Sequence, residues 1–83
     1  MKAHELKIHE LHYIDVCTGV KTFEIRKNDR DFKRGDILIL REVEATHSGT
    51  NESYTGRQKA VKVKYMTNFQ QKEGYVVLGI SLL

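Results

Sequence analysis

Alternation of polar and apolar residues predicts two strands in the first third of the chain. Residues 3–8 alternate, and a first strand is expected there. Residues 21–27 alternate as well, which predicts a strand with Phe23 and Ile25 on its core face. Thr22, Glu24 and Arg26 would then occupy the opposite face.

Three further strands are predicted in the rest of the chain. Residues 37–40 and 75–83 are apolar at successive positions, which is typical of strands covered on both faces. The first of these continues through residue 44, and the polar segment 45–56 predicts a loop. Residues 57–67 alternate again, and their inward-facing side chains are expected to be Val61, Val63 and Tyr65.

Residues 9–18 change to helical spacing. Leu11, Ile14 and Cys17 recur every three residues, so we expect them to form the apolar face of a short helix that ends at Gly19. A helix of about ten residues does not stand alone, so it should cover the end of a sheet. The pattern predicts a mainly β (α+β) fold in one domain, residues 1–83: a small barrel of about five strands, with the helix capping a barrel mouth.

Composition narrows the function classes. The net charge is +3 and charged residues make up 30% of 83 residues, which is mildly basic and compatible with a phosphate-bearing partner. Cys17 is the only cysteine, and no Cys/His spacing indicates zinc, so neither a metal nor another cofactor is expected. His4, His9 and His12 together could bind zinc, but neither an acidic second shell nor a fourth ligand is apparent in the sequence. A cytoplasmic protein without a membrane segment is expected, and a monomer is favoured.

The densest charge lies between residues 19 and 36. Residues 19–26 read GVKTFEIR and residues 34–38 read RGDIL, which resembles the ASCH-domain signature G-x-K-T-x-E-x-R…G-D. The opening HELKI and the closing EGYVVLGI resemble small ASCH-like bacterial and phage proteins of unknown function, so the resemblance spans nearly the whole chain. It implies a PUA-like β-barrel with a helix over one mouth and an RNA-binding cleft beside the motif.

The leading hypothesis is therefore a module that binds RNA or a nucleotide. Glu24 and Arg26 share a strand face and offer a hydrogen-bond acceptor beside a planar donor fork. Tyr54 and Arg57 flank a Thr-Gly pair, and an aromatic ring beside a guanidinium suits a stacked base and its phosphate. The predicted ligand-binding residues are His4, Lys21, Thr22, Glu24, Arg26, Lys27, Tyr54 and Arg57.

Two alternatives remain open. Some small ASCH proteins are amidohydrolases of acylated cytidine, and the resemblance implies that Lys21 matches their lysine. Glu24 stands where they have threonine, and Glu73 is a loose candidate for their distant acid, so binding is favoured over catalysis. The other alternative is a protein-interaction module. Strict alternation predicts that Lys21 diverges from Glu24 and Arg26, unless a bulge or a strand end brings it back.

Overall fold

A computed structural model of the chain describes residues 1–45 and 52–83. Five strands and one helix follow in the order β1, α1, β2, β3, β4, β5. Their bounds are β1 Ala3–His9, α1 Glu10–Cys17, β2 Phe23–Lys27, β3 Ile37–Ala45, β4 Glu52–Thr67 and β5 Tyr75–Leu82. The predicted mainly β domain with one short helix is therefore confirmed, and none of the described helices is long and apolar enough to cross a bilayer.

The strands form one mixed sheet in the order β1-β3-β4-β5-β2. β1 runs parallel to β3, and every other neighbouring pair is antiparallel. β1 and β2 are the two edges, and no ladder between them closes the sheet in the described part of the chain, so the predicted barrel closure is not confirmed.

The core is built from the inward face of the sheet, the helix and one loop residue. Alternation on the strands puts every second side chain into this core. Phe32 is buried and anchors the loop between β2 and β3. The main buried cluster of the described residues consists of Leu6, Ile8, Tyr13, Val16, Phe32, Leu38, Leu40, Val61, Val63, Val76, Leu78 and Ile80.

The helix buries a different face from the predicted one. Tyr13 and Val16 enter the core, whereas Leu11 and Ile14 are exposed and Cys17 is only half-buried. Both sets have helical spacing, so the periodicity alone does not choose between them. Because α1 follows β1 with no intervening residue, the direction in which β1 ends determines which face of the helix packs on the core. Gly19 has φ 81° and ends the helix as predicted.

The face assignment of β2 is also wrong in the sequence prediction. Phe23 is 43% exposed and Ile25 is exposed, while Glu24 is only 4% exposed. β2 is an edge strand, so its inward face lies at the periphery of the core. The Glu24 carboxylate can be buried there because Lys21 and Arg26 pair with it. Apolar residues on this strand therefore do not mark the core side.

Two bulges explain the remaining differences in β4. The strand begins at Glu52 inside the predicted loop, of which residues 46–51 lie outside the described part. The register between β3 and β4 shifts at Glu42, opposite the β4 segment that contains Gly56. Gly56 has φ 95°, so the Thr-Gly pair forms a bulge within the strand and not a turn between strands. A second shift lies between Val63 and Tyr65, and it turns Tyr65 outward instead of into the core.

Candidate functional site

Lys21, Glu24 and Arg26 converge at one point. The Lys21 ammonium donates to Glu24 Oε1 and, at 2.7 Å, to the carbonyl of Phe23. The Arg26 guanidinium lies on the other carboxylate oxygen, with Nε at 3.0 Å and Nη2 at 2.8 Å. A buried carboxylate is thus held between two cations, an arrangement that leaves one net positive charge.

A strand end explains this convergence. β2 begins at Phe23, so Lys21 precedes the strand and does not follow its alternation. The Lys21 N–H donates to Asp15 O at 2.9 Å, which ties this segment to the end of the helix. Its flexible side chain then reaches around the strand edge to Glu24. The sequence prediction named this possibility as the condition for a shared site.

The cluster lies at a seam between the two sheet edges. Arg26 Nη2 donates to Lys7 O at 2.6 Å, and Arg30 Nη1 donates to Glu5 O at 2.7 Å. Both carbonyls belong to the free edge of β1, whose acceptors would otherwise need water. Arg26 therefore joins β2 to β1, and Arg30 joins the loop after β2 to β1, where the described residues form no strand ladder.

Two grooves open along this seam. One, of about 330 Å³, lies between β1, the start of α1 and β2, and includes the Lys21–Glu24–Arg26 cluster. The other, of about 270 Å³, continues past Arg26 toward β3 and β4. We call the pair the seam groove. Its charged lining, apart from histidine, consists of Lys7, Lys21, Arg26, Arg30 and Arg41 against Glu5 and Glu24.

The excess of positive charge is open to a ligand. Glu5 pairs with Arg41 at 3.1 Å and Glu52 approaches Lys7 at 3.7 Å, both at exposed positions. Exposed pairs of this kind contribute about 0–1 kcal/mol and are readily exchanged for another anion. The seam groove therefore carries an excess of positive charge, five cations against two carboxylates in its described lining.

Tyr54 contributes an aromatic ring to this groove. The Arg41 guanidinium lies 3.8 Å from the ring centroid, and Lys7 Nζ lies 5.9 Å from it. A stacked guanidinium keeps its edge donors available for a phosphate or a base edge. The partner of Tyr54 is thus Arg41, a residue that the sequence prediction did not single out.

Arg57 has a different environment from Tyr54. Its Nε and Nη2 each lie 2.7 Å from a carboxylate oxygen of Glu42, which is buried. The hydroxyl of Thr55 donates to the same carboxylate at 2.6 Å. These donors lower the pKa of Glu42, and its carboxylate raises the pKa of Arg57. Arg57 therefore stabilises the β4 bulge and is not brought to the seam groove.

His4 is also part of the framework. It is buried, and its Nε2 lies 2.9 Å from Asp36 Oδ2. The backbone N–H groups of Lys2 and Lys33 donate to the same carboxylate, each at 3.0 Å. These hydrogen bonds, the one from His4 first, lower the pKa of Asp36 to about 2. His4 therefore fixes the start of β3 and does not line the seam groove.

The remaining predicted residues are dispersed. Lys27 is exposed at the far end of β2, and Thr22 is exposed before its start, with its carbonyl accepting from Ile80 N at 2.9 Å. Glu73 lines a separate groove of about 540 Å³. The neighbouring Gly74 O accepts from Asn28 N at 2.7 Å, just past the end of β2.

Glu73 and Lys21 are thus at opposite ends of β2, whose five residues alone span about 13–17 Å. The catalytic set of Lys21, Glu24 and Glu73 is not assembled. The Lys21 ammonium is also engaged by a carboxylate and a carbonyl, which is not the state of a nucleophilic amine. The amidohydrolase alternative gains no support from this arrangement.

Several residues of the seam groove were missed by sequence reasoning. Lys7, His12, Arg30 and Arg41 look like ordinary surface residues on separate elements. Parallel pairing of β1 with β3 brings Lys7 beside Arg41, a contact that no local pattern indicates. Among residues 1–45 and 52–83 no His, Cys and carboxylate cluster forms a candidate metal site, and His9 Nδ1 instead accepts from Leu11 N at 3.2 Å.

Comparison with known proteins identifies the family. Residues 3–80 match the model of a domain of unknown function, DUF3850. The chain is also 36% identical over 78 residues to an uncharacterised 12.9 kDa protein in the GpA 3′ region of Escherichia phage P2. That alignment covers 93% of this chain and 66% of the phage protein, so the chain spans just under two thirds of its relative. With nearly its whole length matched by the family model, the chain belongs to the DUF3850 family.

Proposed function

We propose that this domain binds single-stranded RNA or a nucleotide in the seam groove. The observation that carries the proposal is the buried Glu24 carboxylate held between Lys21 and Arg26 on the wall of an open, otherwise cationic groove. The carboxylate fixes the position of both cations before a ligand arrives. Fixed cations lose less conformational entropy on binding a phosphate than free surface lysines do.

The chemistry of the groove suits a nucleotide better than a simple anion. Arg41 stacked on Tyr54 offers a flat surface beside donors, and a base can stack on such a surface. The Glu5 carboxylate, which is exposed and pairs with Arg41 through one oxygen, adds a hydrogen-bond acceptor to the same groove. A phosphate group offers only hydrogen-bond acceptors and gains nothing from an acceptor on the protein, whereas a base edge presents both donors and acceptors.

The proposal extends to the fold family. We propose that the curled sheet is a PUA-like barrel of the ASCH type, opened between β1 and β2, with the arginine bridges across the seam in place of a strand ladder. The resemblance of residues 19–26 to the ASCH signature supports this assignment. In ASCH domains the proposed RNA cleft lies beside that motif, and in this proposal the seam groove takes the corresponding position.

Binding should depend strongly on salt. With about four cations contacting phosphates of a single strand, log K is expected to fall against log salt with a slope of roughly −3. The measurement is fluorescence anisotropy of a labelled single-stranded RNA between about 50 and about 200 mM salt. An affinity for RNA that does not depend on salt would refute this mode of binding. A pulldown that captures mainly proteins, and is unchanged by ribonuclease, would favour a protein-interaction module instead.

A charge-matched pair of variants locates the binding site. Lys7→Gln with Arg41→Gln removes two cations of the seam groove, so the slope should shrink by about 1.4 and the affinity should fall about tenfold or more. Lys33→Gln with Lys72→Gln removes the same charge from residues that do not line the seam groove. Equal losses in the two variants would mean that net charge alone, and not the seam groove, attracts the RNA.

A further inference from the structure

The outer face of the sheet carries two exposed aromatic side chains on either side of a glycine. Phe23 of β2 and Tyr65 of β4 are both register partners of Gly79 on β5. Phe23 is 43% exposed and Tyr65 is 58% exposed. Both point outward although each belongs to a strand whose opposite face is buried, so the core does not account for them.

The glycine leaves a space between the rings. Neighbouring strands lie about 4.8 Å apart, so the Cα atoms of Phe23 and Tyr65 are separated by roughly 10 Å across Gly79. A flat ring in van der Waals contact with a partner on each face needs about 7–8 Å between those partners. A Cβ atom at position 79 would lie 3.2 Å from the Tyr65 Cβ and would begin to fill this space.

Positive charge lies next to this space. A hollow of about 230 Å³ at the same end of the sheet is lined by Lys21 and Lys64 and by the hydroxyl residues Thr22 and Ser81. The described lining of this hollow contains no carboxylate, and Lys21 is paired with Glu24 beyond it, so Lys64 supplies the charge that has no ion-pair partner among the described residues. Lys21 Nζ also lies 4.9 Å from the Phe23 ring centroid, so one cation touches both features. Two lysines with two hydroxyls match the donors that a phosphate group accepts.

We propose that Phe23, Gly79 and Tyr65 form a slot for one nucleobase, with the adjacent Lys21–Lys64 hollow holding its phosphate. This inference rests on the proposed function, and it adds a second contact surface that adjoins the seam groove, whose lining also includes Phe23. Lys21 lies at the boundary of the two, since it lines both the seam groove and the hollow. A single strand could therefore pass from one surface to the other around the edge of β2.

An abasic oligonucleotide and the Tyr65→Ala variant together separate the slot from the seam groove. An abasic strand of the same length keeps every phosphate but has no base to stack, so it reports base contacts in the slot and on Arg41–Tyr54 together, and Tyr65→Ala removes only the contact in the slot. The protein should bind a single-stranded RNA of eight nucleotides roughly 5- to 100-fold more tightly than the abasic strand of that length. Tyr65→Ala should remove most of this difference while leaving the affinity for the abasic strand unchanged, and Gly79→Val should do the same by filling the slot.

Phe69→Ala is the matched control, because Phe69 is a 74% exposed aromatic residue in the loop before β5. Tyr65→Ala retains the strand backbone and removes only an exposed ring, so it remains informative if Gly79→Val fails to fold. Equal binding of both strands by the unmodified protein would overturn the slot and the stacking of a base on Arg41–Tyr54, and would leave only the phosphate contacts of the seam groove. A base preference that Tyr65→Ala leaves unchanged would overturn the slot alone. Binding of neither strand would overturn both proposals. A dimer that Tyr65→Ala converts to a monomer, with base preference retained, would assign this face to self-association.

Discussion

Replacing Asp36 with alanine should destabilise the domain by about 3 kcal/mol. Asp36 is almost fully buried, and its carboxylate accepts from His4 Nε2 and from the backbone N–H groups of Lys2 and Lys33. Hydrogen bonds to a charged group contribute about 1.5–3 kcal/mol each, and unpartnered buried donors add a penalty. The substitution would leave the His4 ring without its partner inside the protein. Urea unfolding should therefore show a lower midpoint with an unchanged slope.

Asp31→Ala is the matched control for this variant. Asp31 belongs to the same loop, but its side chain is 74% exposed and pairs with Lys33 at 3.3 Å on the surface. Exposed pairs contribute about 0–1 kcal/mol, and Asp31 has φ 51°, where alanine is less favoured than aspartate, so a loss of about 1 kcal/mol, well below that of Asp36→Ala, is expected. Similar losses in both variants would contradict the assignment of Asp36 as the polar anchor of the loop.

The same site predicts sensitivity to acid. The pKa of Asp36 is lowered from 3.8 to about 2, so the folded state binds its proton less readily than the unfolded state does. Stability from this group is therefore fully present above about pH 4 and is lost as the pH falls through about 2. Unfolding free energy measured against pH should fall over this interval in the unmodified protein. Asp36→Asn should show a smaller fall, because the titrating group is absent.

The second large effect is expected at Arg26. Its guanidinium joins the buried Glu24 carboxylate to the Lys7 carbonyl, and so joins β2 to β1. Arg26→Ala leaves the Glu24 charge with Lys21 alone and opens the seam. Breaking a fully buried pair costs about 3–5 kcal/mol, but the Arg26 side chain is 25% exposed, so about 2 kcal/mol is expected. RNA affinity should fall about tenfold or more, because a phosphate contact is lost and Glu24 becomes repulsive.

Arg26→Lys distinguishes geometry from charge. The lysine retains the positive charge but lacks the planar fork that contacts the carboxylate and the carbonyl together. We expect most of the stability loss to remain, while the salt slope of RNA binding changes little. Arg34→Ala, at an exposed loop position, controls for the loss of one charge. If Arg34→Ala weakens binding as much as Arg26→Ala does, the seam bridge has no special part in recognition.

Hydrophobic patterning was sufficient to locate most strands but not to assign the buried face of every strand. Alternation located β1, and runs of successive apolar residues located β3 and β5, all nearly to the residue. It failed on β2, where the buried side chain is Glu24 and the apolar residues face outward. The buried position at the seam is filled by a carboxylate paired with two cations, and a hydrophobicity pattern does not indicate such a residue.

The candidate site was predicted in part for a similar reason. The charged motif placed Lys21, Glu24 and Arg26 on one short segment, and their convergence depended on a strand end that the sequence left open. Lys7, Arg30 and Arg41 join them through pairing between distant strands, which single-residue patterns do not encode. The bulge at Gly56 separated Tyr54 from Arg57, which are close in sequence but contact different partners.

A titration of the isotopically labelled protein with a short single-stranded RNA, followed by amide chemical shifts, tests the central claim most directly. Binding in the seam groove predicts the largest shifts along β1 and β2, around Lys7, Glu24 and Arg26, and their reduction in Arg26→Ala. The loop 68–74, which forms the separate groove around Glu73, should be nearly unaffected. Shifts confined to that loop, or no shifts at RNA concentrations well above those used for anisotropy, would contradict the account.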